Sequence, residues 1–332
     1  MKAAFIRSPG PPSDIEVGTI PDPVPAANEV LVRIGAAAVN PIDTYIRSGV
    51  VQMELPSPWI PGCDLAGVVE AVGEGVSDFQ TGDRVWASNQ GLFGKQGTLA
   101  ELCSVDRKWL YPIPDRISEA TAAAGALTGI TAHLGLFLHG GLQENEVVFV
   151  NGGAGGVGSN VVQLAKASGA TVITTAGSDE NALACHTLGA SHVIHYRTED
   201  IDQRLTEITE QTGPIDLWFE TLRTPTLDRC VPLMQKRGRI ILMAGRDARP
   251  EFPVGPFYVK DLRVIGFAMF NASPEEQRIC AADLNTRLAQ GSWNPRIGEI
   301  LDLAEAARAH QLQEDNTLHQ QGTLSGKIVV VP

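Results

Sequence analysis

The sequence predicts an α/β protein in which a β-rich N-terminal part precedes a doubly wound parallel sheet. Over roughly the first 120 residues, short runs rich in Val, Gly and Pro at 29–34, 66–72, 84–87 and 98–105 are typical of strands and turns. From residue 118 the sequence becomes rich in Ala, and strand-like and helical stretches alternate thereafter. That alternation is typical of a parallel sheet whose strands are joined by crossover helices.

The second half of the sequence predicts a series of parallel strands, followed by a C-terminal segment that returns to the N-terminal part. The strands are expected at 147–150, 172–175, 192–195, 215–220, 239–243 and 263–267. Helices over 274–290 and 304–312 lead to a final strand at 326–331, which is expected to rejoin the N-terminal part. Because 332 residues are enough for two domains, we assign 1–121 and 269–332 to the first domain and 122–268 to the second.

A glycine-rich motif lies between the strand at 147–150 and the helical pattern at 157–168. Gly153, Gly155 and Gly158 form G-x-G-x-x-G, in which the glycines permit a tight turn, close approach of a pyrophosphate and close helix–strand packing. The helix N-terminus would add N–H groups and a partial positive charge. A flexible loop is the alternative, and the flanking strand and helix disfavour it. The predicted cofactor loop comprises Gly152, Gly153, Ala154, Gly155, Gly156, Val157 and Gly158.

The composition disfavours several classes of protein. With 26 Lys and Arg against 38 Asp and Glu, the formal net charge is −12, which argues against a surface for nucleic acid or anionic lipid. No continuous apolar run approaches the ~20 residues that span a bilayer, and the N-terminus lacks a signal-peptide pattern. The 5 cysteines are scattered without a C-x-x-C pair. We therefore expect a soluble protein of the reducing cytoplasm.

Three N-terminal stretches carry a family resemblance. They read NPIDTYIRSG at 40–49, PGCDLAGVVEAVG at 61–73 and GDRV at 82–85. With these stretches the chain is similar, over nearly its whole length, to the zinc-free, zeta-crystallin-like quinone oxidoreductases of the medium-chain dehydrogenase/reductase superfamily. The resemblance implies a GroES-like catalytic domain, a Rossmann NAD(P)-binding domain, hydride transfer from NADPH to a quinone, and a homodimer formed through residues 263–268.

The resemblance also implies that no catalytic metal is bound. Zinc-dependent members of the superfamily hold zinc with three side chains and leave the fourth position for water or substrate. The corresponding positions here are Asn40, Cys63 and Ala124. One soft ligand is not sufficient for a zinc site, and a buried Cys is often an ordinary small apolar residue.

Three candidate catalytic residues follow from the resemblance: Asn40, Tyr45 and Thr131. Without a metal, the hydroquinone anion formed by hydride transfer must be stabilised by hydrogen-bond donors, and we expect Asn40 and Tyr45 to supply them. Thr131 is expected to contact the nicotinamide carboxamide. The alternatives are structural: Asn40 as the cap of the turn before Pro41, Tyr45 as a half-buried aromatic residue, and Thr131 bonded to its own helix.

The end of the second predicted parallel strand indicates which nicotinamide cofactor to expect. A carboxylate there normally binds the adenosine ribose of NAD, but the position is Ala176, followed by Gly177 and Ser178. This absence favours NADPH over NADH, and we expect the Ser178 hydroxyl and nearby N–H groups to bind the 2′-phosphate. The resemblance implies that Tyr196 packs near the same phosphate. Some relatives also place a Lys and an Arg there, which this chain lacks, so the preference is expected to be modest. The expected cofactor residues also include Gly245, Phe270 and Asn271.

Other functions stay open at this point. Reduction of an activated C=C bond in an enone, alkenal or enoyl thioester needs the same hydride geometry, and neither fold nor cofactor separates it from quinone reduction. A non-catalytic crystallin-like or RNA-binding protein is the alternative of another class, disfavoured by the net charge of −12 and the intact glycine motif. A zinc alcohol dehydrogenase is disfavoured by the missing ligands.

Overall fold

The chain forms two compact units that interleave along the sequence. The computed structural model describes residues 1–319, 321–322 and 324–332. The first unit comprises Met1–Leu127, Ser273–Gln290 and Pro295–Pro332, and the second comprises Thr128–Ala272 and Gly291–Asn294. The domain division expected from the sequence, with boundaries at 121/122 and 268/269, stays a prediction.

The strands and helices are numbered in chain order. The strands are β1 (Lys2–Phe5), β2 (Glu16–Thr19), β3 (Glu29–Val39), β4 (Asp64–Val72), β5 (Arg84–Ala87), β6 (Leu102–Asp106), β7 (Leu110–Pro112), β8 (Val147–Asn151), β9 (Thr171–Ala176), β10 (His192–His195), β11 (Ile215–Glu220), β12 (Met234–Leu242), β13 (Arg263–Gly266), β14 (Ile297–Asp302) and β15 (Lys327–Val331). The α-helices are α1 (Pro41–Arg47), α2 (Glu119–His133), α3 (Gly156–Ala167), α4 (Asp179–Thr187), α5 (Ile201–Thr212), α6 (Leu227–Leu233), α7 (Val254–Val259), α8 (Pro274–Gln290) and α9 (Ala306–Thr317). A π-helical segment, Leu134–His139, continues α2.

The first unit is built around the long strand β3. Its sheet runs in the order β14, β15, β3, β4, β5, β7, and β6 also pairs with β3. β15 lies antiparallel to β3 with Ile328 opposite Val39, and β4 lies antiparallel to β3 with Asp64 opposite Ala38. The C-terminal strand therefore rejoins the N-terminal part, as the sequence predicts.

The second unit contains a parallel sheet with the strand order β10, β9, β8, β11, β12, β13. Each neighbouring pair of strands is parallel. The chain runs outward from β8 to β10 and then returns to the other side of β8, so the strand order reverses between β8 and β11. The rings of Phe149 and Trp218 lie 4.0 Å apart in the core of this sheet. The predicted doubly wound arrangement is confirmed.

Several strands differ from the sequence-based expectations, among them β2 and β7, which were not predicted, and β12 and β14. β12 begins at Met234 rather than at 239. Ile215 of β11 pairs with Met234 and Leu217 pairs with Arg239, so the residues of β12 between these two partners form a bulge. β14 was not predicted, since it is an outer strand whose side chains are mostly exposed and lack the alternation that identifies a half-buried strand.

The helical segment Glu119–His139 corrects one expectation from the sequence. By length and composition it is apolar enough to cross a membrane, with a mean hydropathy of 1.4 in its best window. Ala, Leu, Ile and Phe raise the mean hydropathy, while Gly, Thr and His interrupt the apolar run. Since 83% of that window is buried inside the protein, the segment is a weak indication of a membrane span, and core helices pass the same test.

Candidate active site

The glycine motif forms a tight turn between β8 and α3. Gly152 has a φ of 85°, a conformation that L side chains rarely adopt, so the turn lies one residue before the first glycine of the motif. A Cβ on Gly153 would lie 2.1 Å from the Thr174 Oγ1 atom, and a Cβ on Gly158 would lie 2.1 Å from the Gly152 carbonyl oxygen. Both glycines are therefore required for close packing of the loop.

Gly155 has a different environment. It is the N-cap of α3 with a φ of −72°, its backbone is exposed, and a Cβ on it would meet no atom nearer than 3.4 Å. The N–H groups of Gly156, Val157 and Gly158 open the helix and have no intrahelical acceptor. An accessible loop at the positive end of a helix is what a pyrophosphate requires.

The ends of β9 and β10 meet around Gly177. The Tyr196 backbone N–H donates to the Ala176 carbonyl oxygen at 3.1 Å, and a Cβ on Gly177 would lie 2.2 Å from the Tyr196 hydroxyl oxygen. Ser178 is half-buried, and its Oγ accepts from the Asn181 N–H at 3.2 Å. The Ser178 hydroxyl hydrogen can still donate to an anion, so the two predicted phosphate contacts flank the same glycine.

The charges around these two hydroxyls are mixed. Asp179 and Glu180 are exposed in the first turn of α4, and Asp179 Oδ1 lies 3.7 Å from His195 Nε2. Arg197 follows Tyr196 and is also exposed. The carboxylates weaken the local attraction for a phosphate and Arg197 strengthens it.

The remaining predicted cofactor residues follow β12 and β13. Gly245 has a φ of 87°, and a Cβ on it would lie 2.7 Å from the Arg223 carbonyl oxygen. Phe270 is half-buried and Asn271 is exposed in the 3₁₀ turn Met269–Asn271. Since carboxyl ends of parallel strands lie at one edge of a sheet, the structure brings these residues to the same edge as the glycine loop, Ser178 and Tyr196.

A buried hydrogen-bond network beneath the glycine loop was missed by the sequence reasoning. Glu220 ends β11 and accepts from Asn151 Nδ2 at 3.0 Å and from the Leu222 N–H at 2.9 Å. Asn151 Oδ1 accepts from Thr175 Oγ1 at 3.0 Å, and Thr175 Oγ1 accepts from the Gly152 N–H at 2.9 Å. Burial raises the pKa of Glu220. The network ties three strand ends to the turn, and its only sequence signal is that polar residues end these strands.

The three candidate catalytic residues are divided between the units. Asn40 and Tyr45 belong to the first unit and Thr131 to the second. Asn40 precedes α1 and is fully buried, and its backbone N–H donates to Asp43 Oδ2 at 2.7 Å. Tyr45 is half-buried on α1, and Thr131 is buried in α2.

The Asn40 side chain belongs to a buried polar cluster that sequence reasoning also missed. Lys327 Nζ donates to Asn40 Oδ1 at 2.6 Å. Asn40 Nδ2 donates to Asp64 Oδ2 at 2.8 Å and to the Ala38 carbonyl oxygen at 3.3 Å, while Ser88 Oγ donates to Asp64 Oδ1 at 2.7 Å. Both hydrogens of the Asn40 amide are thus engaged inside the protein. Donation from Asn40 to a substrate would require one of these bonds to open, and it stays a prediction.

Burial is the largest electrostatic influence on this cluster. It raises the pKa of Asp64 and lowers the pKa of Lys327. It also raises the pKa of Asp43 to about 7. The attraction between the Lys327 ammonium and the Asp64 carboxylate opposes the first two shifts, so we treat these two residues as an ion pair bridged by the Asn40 amide.

The side chains at the three zinc-ligand positions do not fit a catalytic zinc. The Asn40 oxygen already accepts from the Lys327 ammonium at 2.6 Å, and a metal cation there would be repelled by that charge. Cys63 contributes one thiol, which is hydrogen-bonded with the buried Asp43 carboxyl group, whereas a catalytic zinc takes three protein ligands. Ala124 has no donor atom. Across residues 1–319, 321–322 and 324–332, no group of three or more His, Cys, Asp or Glu residues is arranged to hold a metal ion.

Comparisons with known proteins agree with this architecture. The chain matches two family models, the alcohol dehydrogenase GroES-like domain over residues 26–115 and the zinc-binding dehydrogenase over residues 156–284. A quinone oxidoreductase of Sus scrofa is 32% identical over 309 residues, which are 93% of this chain and 91% of that protein.

Two solved structures resemble the whole chain. The Escherichia coli quinone oxidoreductase complexed with NADPH has a TM-score of 0.87 at 27% identity, with 100% of both chains covered. A structure described as an NAD-dependent alcohol dehydrogenase has a TM-score of 0.89 at 28% identity, again over 100% of both chains. The predicted fold class is confirmed, and the chain belongs to the quinone oxidoreductase family of the medium-chain dehydrogenase/reductase superfamily.

Proposed function

We propose that this protein is an NADPH:quinone oxidoreductase, which transfers a hydride from NADPH to a quinone. The observation that carries the proposal is the edge of the parallel sheet where the glycine loop, Ser178 and Tyr196 meet. The relatives support it, since the Sus scrofa protein is named a quinone oxidoreductase and the Escherichia coli one is described in complex with NADPH. When bound, NADPH supplies the hydride.

The cofactor would be held mainly by neutral donors. The N–H groups that open α3 would bind the pyrophosphate, with the exposed Gly155 allowing close approach. The hydroxyls of Ser178 and Tyr196 would bind the 2′-phosphate. β9 ends at Ala176, which offers no carboxylate to the ribose of NAD. Because Asp179 opposes the phosphate charge, we expect NADPH to be preferred over NADH only modestly.

The catalytic side chains we propose act without a metal ion. A quinone that accepts a hydride becomes a hydroquinone anion, and a hydrogen-bond donor at its oxygen stabilises that charge. Tyr45 is the candidate donor, because the Asn40 amide hydrogens already bond Asp64 and Ala38. The single proton that converts this anion to the hydroquinone comes from water or from Tyr45, which would then regain a proton from water. Tyr45→Phe should lower kcat for quinone reduction at least tenfold and leave the Kd for NADPH unchanged.

The first experiment measures oxidation of NADPH and NADH by purified, metal-free protein with four acceptors. These are p-benzoquinone, 1,4-naphthoquinone, an alkenal and an enoyl thioester. We expect the quinones to be reduced and NADPH to be the better donor. Turnover of the C=C acceptors alone would replace quinone reduction by enone reduction, and activity that depends on added zinc would overturn the metal-free mechanism.

We also propose a homodimer formed through β13. In the described part of the chain β13 is the outermost strand on its side of the sheet, and an unpaired strand edge favours association. On α7, which precedes β13, Val254, Tyr258 and Val259 are 61%, 66% and 66% exposed. Sedimentation of the wild-type protein should give a dimer and Tyr258→Glu a monomer. A monomeric wild type would overturn this assembly.

The cysteines support a reducing, cytoplasmic location, which we propose as well. In the described ranges, Cys63, Cys103, Cys185, Cys230 and Cys280 are all buried, and none forms a disulfide. Thiol titration of protein purified under air should find all five cysteines reduced after unfolding. A disulfide would contradict the proposal.

A further inference from the structure

Lys327 is a buried lysine to which the proposed mechanism gives no role. It begins β15 and is 4% exposed. Lysine is almost never buried unless it is paired, because an ammonium group loses its hydration. Lys327 Nζ donates to Asn40 Oδ1 and to the Val39 carbonyl oxygen, each at 2.6 Å. These two bonds satisfy two of the three N–H donors of the buried ammonium group.

The sheet determines where this ammonium lies. In the antiparallel pair of β15 and β3, Ile328 is opposite Val39, so the same register places Lys327 opposite Asn40. Lys327 therefore bonds the last residue of β3 and the residue that precedes α1. These two bonds hold the chain at the point where it leaves β3 and enters α1.

The orientation of the Asn40 amide follows from the charges at its two ends. The Lys327 ammonium can only donate and the Asp64 carboxylate can only accept, so the amide must turn its oxygen to Lys327 and its nitrogen to Asp64. The observed distances are 2.6 Å and 2.8 Å. Ser88 Oγ donates to the other oxygen of Asp64 at 2.7 Å. Asn40 is thus held between a cation and an anion and has one orientation.

Asn40 transmits this constraint to the helix that carries Tyr45. Its backbone N–H donates to Asp43 Oδ2 at 2.7 Å, which closes the first turn of α1, and Pro41 follows it directly. Thr44 Oγ1 donates to the Pro41 carbonyl oxygen at 2.8 Å. Movement of Asn40 would therefore move the start of α1, and Tyr45 with it.

We propose that Lys327 is a positioning residue for the reaction: through Asn40 it holds the start of α1 and so places Tyr45 for its contact with the electron acceptor. The inference rests on the proposed quinone reductase activity. It does not require Asn40 or Lys327 to touch the substrate. It assigns a function to a residue at the C-terminal end of the chain that lies outside both matched family models, which cover 26–115 and 156–284.

The test compares Lys327→Met and Lys327→Arg with Lys95→Met. The control removes an exposed lysine of the same unit that pairs with Glu29 at 2.9 Å. For each variant, kcat and KM for 1,4-naphthoquinone are measured at saturating NADPH, together with the Kd for NADPH and the melting temperature. Lys327→Met should lower kcat at least tenfold and keep the Kd for NADPH within twofold of wild type. Lys327→Arg should recover part of kcat, and Lys95→Met should behave as wild type.

A further variant covers failure of Lys327→Met to fold. The double variant Asp64→Asn/Lys327→Met removes both charges of the ion pair. It should therefore fold and show the same loss of kcat as Lys327→Met. A folded Lys327→Met variant with wild-type kcat at a temperature below its melting point would overturn the proposal, as would a parallel loss of NADPH binding in that variant. Failure of the proposed function is distinct, since it would appear as an inactive wild type. If the wild type instead reduces an alkenal, the ratio of variant kcat to wild-type kcat is measured with that acceptor.

Discussion

Gly155 and Gly158 both lie at the start of α3, yet a methyl group on each has a different expected consequence. On Gly158 the new Cβ would lie 2.1 Å from the Gly152 carbonyl oxygen and 2.9 Å from its carbon, so backbone atoms must move. On Gly155 the nearest atom is 3.4 Å away, and a φ of −72° suits any L residue. Gly158→Ala should therefore destabilise the second unit, and Gly155→Ala should leave it folded.

The expected change in stability is the difference between the helix propensity gained and the cost of overpacking. In a helix Ala is favoured over Gly by about 1 kcal/mol, but overpacking costs about 1–3 kcal/mol and more where the obstacle is rigid backbone. We place the net cost of Gly158→Ala at about 2 kcal/mol, equivalent to a decrease in melting temperature of roughly 4–8 °C. Gly155→Ala changes only an N-cap, which costs about 0.5 kcal/mol.

The effect on cofactor binding separates the two positions further. The methyl group of Gly155→Ala would occupy the space through which the loop is expected to approach the pyrophosphate. Its Kd for NADPH should rise at least tenfold, a loss of about 1.4 kcal/mol, at a nearly unchanged melting temperature. Gly255→Ala is the matched control, because a Cβ there meets nothing within 4 Å and no cofactor role is expected at that position.

Thermal unfolding and titration of NADPH fluorescence measure both quantities on the same samples. A wild-type Kd for Gly155→Ala would refute the placement of the pyrophosphate on this loop. A wild-type melting temperature for Gly158→Ala would refute the expected clash between a Cβ atom at this position and the Gly152 carbonyl group. Tight NADPH binding by both variants would move the cofactor site away from the glycine motif.

Three further predictions concern other parts of the molecule. Arg47 is buried and paired with Glu314 of α9. Arg47→Met should therefore lower the free energy of unfolding of the protein by about 3–5 kcal/mol, and a decrease below about 1 kcal/mol in denaturant unfolding would contradict this. Burial lowers the pKa of His310 to about 3. The unfolded chain therefore binds a proton below about pH 6.5 that the folded chain does not, and stability falls as pH falls from there toward 3, by up to about 1.4 kcal/mol per pH unit. His310→Leu should remove this component, and equal slopes for wild type and variant would count against it. Tyr196→Phe should raise the Kd for NADPH about tenfold by removing a hydrogen bond to a charged group and leave that for NADH unchanged, whereas equal changes would show that the hydroxyl does not bind the 2′-phosphate.

The strand, turn and helix that form the proposed cofactor site could be predicted from the sequence because they are contiguous. The strand β8, the glycine loop and the helix α3 follow one another over residues 147–167, so local periodicity and glycine spacing are sufficient to identify them. The alternation of strands and helices predicted the parallel sheet for the same reason. The role proposed for Ser178 follows from its position just after β9, whereas the role proposed for Tyr196 comes only from the family resemblance, since nothing local distinguishes it from a surface residue.

The buried polar networks could be recognised only in the tertiary structure. Lys327 and Asn40 are separated by 287 residues and bond because β15 and β3 pair in one particular register. Glu220 and Asn151 are separated by 69 residues and bond because β11 lies beside β8. The sequence by itself determined the local elements and the type of sheet, since these depend on residues near one another in the chain. Only the tertiary structure decided which distant polar groups are buried together, because strand order and register bring them within hydrogen-bonding distance.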